Sequence, residues 1–343
     1  METRLVKADD NILDEAAELL KSGGIAAIPT ETVYGLAANA YDVEAVRSVF
    51  RAKGRPQDNP LILHICSIDM LNDIAETVPP LALTLAENFW EGPLTMIFPR
   101  KSHVPAETCG GLDTAAVRMP ANRFTLKLIE RCGFPIAAPS ANTSGLPSPT
   151  SAAHVYADMN GKIPLILDGG ECRYGVESTV IAFDSGDTVR ILRPGAVTAE
   201  MLREYCHVVI DGGVLEMLSP DTVVRSPGMK YKHYSPKADV FIIKGGDAET
   251  EAFVGNIPES GNVGFLGKGT EKLPENVHIF PYGKTSEEQA ENLFASLRKA
   301  DEAGCGEVYV RMPETRGMGL AVYNRLLRAA AFRITDVGGE DAL

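Results

Sequence analysis

The 343-residue chain is long enough for two domains with ample core, and its 45% apolar and 23% charged residues are those of an ordinary soluble globular protein. A net charge of -13 argues against a broad electrostatic footprint on nucleic acid, no run approaches transmembrane length, and acidic residues stand where a signal peptide needs an apolar core, so export is not expected. Six scattered cysteines (Cys66, Cys109, Cys132, Cys172, Cys206 and Cys305) form no CxxC pair, which predicts reduced thiols in a cytosol rather than a zinc site or a disulfide framework.

Residues 10–22 place Ile12, Leu13, Ala16, Leu19 and Leu20 at helical spacing, and Gly23-Gly24 stops the helix. A short buried strand, 25–28, ends at Pro29 and leads into Thr30-Glu31-Thr32-Val33-Tyr34-Gly35-Leu36, small and polar just past a strand end, where α/β folds build sites. Asp42 is placed to cap a helix running through Phe50. Next comes the segment around which the chain is organised, RAKGRPQDNPLILHI (51–65). Read as extended, it points Lys53 and Arg55 to one side, where two cations converge on a phosphate or carboxylate with Asn59 and His64 close by. A solvated basic turn before a buried strand is the plainer reading of the same residues.

Helices are predicted at 69–76, 80–89 and 122–132, with strands at 61–65, 93–98, 115–119 and 135–138. Arg118 stands inside an apolar strand, as a buried ion-pair partner or a ligand-facing cation. Ser140 and Asn142, two apart in a Pro-rich polar stretch, could bond one ligand or form a turn. His64 at a strand end reads equally as a structural histidine, and Glu177-Ser178-Thr179 as a strand start. Strands at 164–167, 178–183 and 189–193 and a helix at 198–205 complete this half. There is no Walker A sequence, GxSxG elbow or HExxH. Asp168-Gly169-Gly170 reads as a tight turn and Gly317-Met318-Gly319 as a close-packing turn.

Residues 221–237 carry four cations and one anion, whereas 238–343 carry 11 Lys+Arg against 17 Asp+Glu. The aperiodic, Pro-containing stretch 219–237 reads as a linker. Beyond it, strands at 239–243, 262–265, 277–280 and 307–310 with helices at 247–254, 286–303 and 317–332 predict a small, largely parallel α/β domain.

The segments PTETVYGLAANA (29–40), KGRPQDNPLILHI (53–65), GPLTMIF (92–98), AVRMP (116–120), PSANTSGLPSPT (139–150), GVESTVIAF (175–183) and ILRPGAV (191–197) resemble, in order, those of the threonylcarbamoyl-AMP synthase family. The paired KxR…SxN signature stands as Lys53/Arg55 and Ser140/Asn142, and the linker SPGMKYKHYSPKA resembles that of the longer, two-domain form. The resemblance implies an α/β (α+β) architecture: a YrdC-like twisted mixed sheet with a positively charged cavity over residues 1–206, a linker or lid at 207–237, and a small Rossmann-like domain at 238–343.

It also implies an activity, in which L-threonine, bicarbonate and ATP give threonylcarbamoyl-AMP, pyrophosphate and water. A downstream transferase complex then passes the group to an adenosine of tRNA. The substrate supplies its own nucleophile, so no Ser or Cys nucleophile is needed, and Mg2+ rides mainly on the phosphates. By position, Thr32, His64, Arg118, Ser178 and the backbone of Ala138 match threonine contacts. Arg55, Asn59, Thr114, Ser140, Ser148, Arg193 and Tyr234 match nucleotide contacts, with Asn142 belonging to the signature. Lys53 and Arg55 are the residues expected to steady charge on the phosphates. Two other readings compete: an RNA-binding module, with a weak tRNA contact, and a carbamoyltransferase. The linker, with Arg225, Lys230, Lys232, His233, Tyr231 and Tyr234, is expected to close as a lid over the nucleotide.

Overall fold

A computed structural model describes residues 1–216, 233–258, 261–267 and 273–338. The chain divides into two compact units, Met1–Ser144 with Ser148–Lys230, and Gly145–Pro147 with Tyr231–Leu343. Of the expected linker or lid at 207–237, residues 217–232 lie outside the described residues.

The first unit opens with strand β1 (Arg4–Lys7), helix α1 (Leu13–Lys21) and strands β2 (Ala26–Ile28) and β3 (Gly35–Asn39). Helix α2 (Val43–Lys53) starts where Asp42 accepts from the backbone N–H of Glu44 and Ala45, at 2.9 and 3.1 Å. Strand β4 (Ile62–His64), helices α3 (Ile68–Ile74) and α4 (Pro80–Phe89), and strands β5 (Leu94–Pro99) and β6 (Thr114–Arg118) follow. Then come α5 (Arg123–Cys132), β7 (Ile136–Ala137), α6 (Ala152–Met159), β8 (Leu165–Asp168), β9 (Thr179–Phe183), β10 (Thr188–Arg193), α7 (Ala199–Leu202) and β11 (His207–Ile210).

These strands form one mixed sheet in the order β1-β8-β2-β3-β7-β4-β6-β5-β9-β10-β11. Alternation along its short strands buries both faces. Ala26, Ile28 and Ala37 pack against Leu20 of α1 and Leu128 of α5. Ala27, Leu36 and Ala38 face the other way, onto Val49 of α2 and Val155 of α6. Two-sided cover explains why β4 and β7 read as apolar runs rather than alternating ones.

β11 pairs in parallel with β10, His207 opposite Thr188, so the expected boundary at 206 falls inside the first unit. The strand escaped notice because it is a half-exposed sheet edge with only two inward positions, Val208 and Ile210. β3 was missed for a different reason: its Gly-Leu-Ala-Ala-Asn composition carries no β propensity, and tertiary burial alone makes it a strand.

In the second unit, β12 (Asp239–Lys244), β13 (Val263–Leu266), β14 (Val277–Phe280), β15 (Glu307–Arg311) and β16 (Ile334–Asp336) form an all-parallel sheet, ordered β14-β13-β15-β12-β16. Helices α8 (Asp247–Gly255), α9 (Ser286–Glu302) and α10 (Gly317–Ala329) lie between its strands in the chain, giving the parallel α/β domain expected, although the order, 3-2-4-1-5 along this unit, is not the 3-2-1-4-5 of a Rossmann sheet. Thr285 and Glu288 close a capping box at the start of α9.

Candidate active site

Arg118 ends β6 with His64 of β4 opposite it on one side and Thr95 of β5 on the other. It is 3% exposed. A cation so buried must be paired, and it is. One terminal nitrogen forms a short ion pair with Glu31. The other donates to Thr32 Oγ1 at 2.9 Å, and Nε donates to the Gly92 carbonyl at 3.2 Å. The Thr30 hydroxyl gives its proton to Val33 O at 2.6 Å, so in the 2.9 Å Thr30–Thr32 contact the Thr32 hydroxyl donates. Thr32 is thereby fixed as an acceptor toward Arg118. Three of the guanidinium's five N–H groups are engaged among the described residues, leaving one on each terminal nitrogen for a substrate carboxylate.

On the far side of the guanidinium, Thr95 Oγ1 shares a 2.8 Å hydrogen bond with Ser178 Oγ. Arg193, at the end of β10, donates from Nε to Ser178 O and from Nη2 to Ser178 Oγ, both at 3.1 Å. Ser148 donates to Glu177. The site thus gathers Thr32, His64, Arg118, Ser178 and Arg193, with Ser148 tied to the same wall through Glu177. Ala138 donates its N–H to Ile62 O at 3.0 Å, which holds it beside β4.

Burial, and after it the Arg118 charge, drives the His64 pKa down to about 3, against hydrogen bonds to the backbone of Ile62 and Ile136. His64 is therefore a neutral imidazole in this fold at neutral pH. The unfolded chain takes up this proton below about pH 6.5, where the folded chain refuses it until about 3. Stability from this group is full above 6.5 and is lost as the pH falls, by up to about 1.4 kcal/mol per unit. Denaturant unfolding at pH 7, 6 and 5 should show that slope in the wild type and a shallower one in His64→Asn. Equal slopes would remove His64 from the account.

The KxR half of the signature is built differently from the extended segment expected. Lys53 is the last residue of α2, and Gly54 caps the helix in the left-handed region at φ +63°. Gly54 therefore serves the helix end rather than a ligand's approach. The correction has a physical cause: amphipathic packing of Val46, Val49, Phe50 and Lys53 carries the helix on to the first residue able to reverse it. Lys53 is 2% exposed, and its ammonium donates to Asn142 O at 2.6 Å and also to Ser140 O. It knots the two halves of the signature together through the backbone of the second. Arg55 reaches the Pro60 carbonyl at 3.3 Å, and Asn59 is buried in the same turn. A cleft of about 680 Å³ beside Lys53 and Gly54 is lined also by Gly23, Gly24, Arg51 and Lys162, and by none of Arg55, Asn59, His64, Arg118, Ser140 or Asn142.

Thr114 lies at the opposite end of β6 from Arg118, paired with Pro99. Tyr234 belongs to the second unit. There it adopts φ +63°, stacks on Phe294 at 5.2 Å and lies 5.8 Å below the Arg325 guanidinium. Among the described residues no three His, Cys, Asp or Glu side chains group as metal ligands. Sequence reasoning gave no role to Glu31 or Thr95. The available signal for Glu31 was a carboxylate set between two threonines in a segment that follows a fully apolar strand.

Residues 18–195 match the family model described as "Telomere recombination", and residues 197–331 match that of the "Threonylcarbamoyl-AMP synthase, C-terminal domain". The chain is 46% identical to the threonylcarbamoyl-AMP synthase of Pyrococcus abyssi over 94% of its own length and 95% of that protein's. It is 39% identical to the synthase of Bacillus subtilis over 96% of each chain. The crystal structure of P. abyssi Sua5 complexed with L-threonine superposes with a TM-score of 0.91 at 44% identity, covering 98% of this chain and 100% of that one. Both domains and the full length agree, and the chain belongs to the threonylcarbamoyl-AMP synthase family.

Proposed function

We propose that the protein joins L-threonine, bicarbonate and ATP into threonylcarbamoyl-AMP, releasing pyrophosphate and water. The observation that carries this reading is the buried Arg118 guanidinium, held by Glu31, Thr32 and Gly92 with two N–H groups left for a carboxylate. In this account Thr32, His64, Ser178 and the backbone of Ala138 surround threonine, with Arg118 on its carboxylate. Arg55, Asn59, Thr114, Ser140, Asn142, Ser148 and Arg193 take the nucleotide. The N-carboxylate of threonine attacks the α-phosphate, so the protein gathers anions and steadies developing charge rather than supplying a nucleophile. Mg2+ enters with ATP as part of that substrate. The product is a mixed anhydride prone to hydrolysis, which calls for a downstream transferase acting on tRNA in the same compartment, here the cytosol.

The test is mass spectrometry of protein incubated with ATP, Mg2+, bicarbonate and threonine, alongside pyrophosphate release. The expected result is threonylcarbamoyl-AMP and release that needs both threonine and bicarbonate. ATP turnover indifferent to threonine would overturn the reading.

A further inference from the structure

Glu31 is 9% exposed. One oxygen of its carboxylate accepts from Arg118; the other, Oε2, is buried and has no hydrogen-bond partner among the described residues. A carboxylate oxygen can only accept, and leaving one buried without a donor is unfavourable. Whatever completes it must arrive as a donor. Of the substrates proposed above, threonine alone carries a cationic donor, its α-ammonium, on the carbon next to the carboxylate for which Arg118 has two N–H groups left. A Glu-Arg pair of this kind matches both charges of an amino-acid zwitterion.

The proposed chemistry needs more than binding. An ammonium has no lone pair, so threonine must lose a proton before it can attack bicarbonate. The groups facing Glu31 leave few alternatives for taking it. The guanidinium of Arg118 is donor-only, and the hydroxyl of Thr32 is committed between Arg118 and Thr30. Burial and neighbouring carboxylates, Glu31 among them, push the Cys172 thiol up, which keeps it neutral. His64 lies beyond Arg118, whose charge weakens it as a base.

We propose that Glu31 binds the α-ammonium of L-threonine through Oε2 and is the general base that frees the amine for attack on bicarbonate. This rests on the reading under Proposed function. The ammonium N–H bond breaks and its proton passes to Glu31. The nitrogen lone pair forms the bond to the bicarbonate carbon. The bicarbonate hydroxyl leaves with a second proton from that nitrogen, as water. The products are the N-carboxylate and protonated Glu31, with atoms and charge balanced and no oxidant or metal required.

Glu31→Gln keeps an oxygen for Arg118 and removes the base. The wild type, assayed first, must form threonylcarbamoyl-AMP; if it does not, the reading beneath the inference fails and the inference with it. Given activity, the variant should lose about 10²-fold or more in rate at saturating threonine near pH 7. Threonine affinity by calorimetry should fall as well, because the ammonium loses its carboxylate, so the decision rests on the rate at saturating threonine and its pH dependence. The deficit relative to wild type should shrink about tenfold per pH unit above 7, as solution supplies free amine directly. A purely structural or binding role would give a deficit at saturating threonine that does not change with pH; that result, or a variant within tenfold of wild-type rate, would overturn the inference. Should Glu31→Gln not fold, Glu31→Asp provides the same decision: a displaced base predicts a slow enzyme with the wild-type pH profile, and a rising profile would refute it.

Discussion

Arg118→Ala is expected to weaken threonine binding and to destabilise the fold together, since on the proposed function one guanidinium serves both. Losing a charged partner for the substrate carboxylate should weaken threonine by about 2–5 kcal/mol, while ATP affinity stays near wild type. Glu31 would then remain as a buried carboxylate without its cation, and breaking a buried pair by removing one member costs about 3–5 kcal/mol. The two losses separate in the double variant Arg118→Ala/Glu31→Gln. Neutralising the orphaned carboxylate should restore much of the melting temperature and none of the threonine affinity. Recovery of threonine binding in the double variant would mean that Arg118 only holds the fold.

The sequence made Arg118 conspicuous, since a cation in an apolar strand demands a partner, but it did not show which partner. Glu31 is 87 residues away in the chain, in the loop between β2 and β3, and only the tertiary fold brings it to Arg118 at the end of β6. Strand and helix periodicities were legible wherever a buried face repeated, as in α1, α5 and four of the second unit's strands. They were not legible in β1, β3, β11 or β16, where composition and edge exposure erase the pattern. The candidate site followed the same rule. Residue types and order marked Thr32, His64, Arg118, Ser178 and the KxR…SxN pair through their resemblance to a family. The hydrogen bonds that join Arg193 to Ser178 and Lys53 to the second motif are tertiary facts with no local trace.

Lys53 and Arg55, adjacent in the signature, are expected to fail in different ways. The Lys53 ammonium is buried and donates to the backbone carbonyls of Ser140 and Asn142, bonds to a charged donor that contribute about 1.5–3 kcal/mol each before the desolvation of the ammonium is set against them. Lys53→Met should therefore lower the melting temperature and loosen the Ser140–Asn142 stretch, and ATP affinity should fall with it. Arg55 is partly exposed in the turn after the helix cap, reaching the Pro60 carbonyl at 3.3 Å. On the proposed function its charge steadies the phosphates as they gain negative charge during attack, an effect confined to the transition state. Arg55→Ala should melt within a few degrees of wild type, yet lose about 10²-fold or more in rate at saturating substrates. Thermal melts, nucleotide binding and maximal rate on the two variants decide between this division of labour and its alternative. If Lys53→Met keeps its melting temperature and loses only rate, the lysine acts on the phosphates. If Arg55→Ala keeps its maximal rate, the arginine contributes ground-state binding alone.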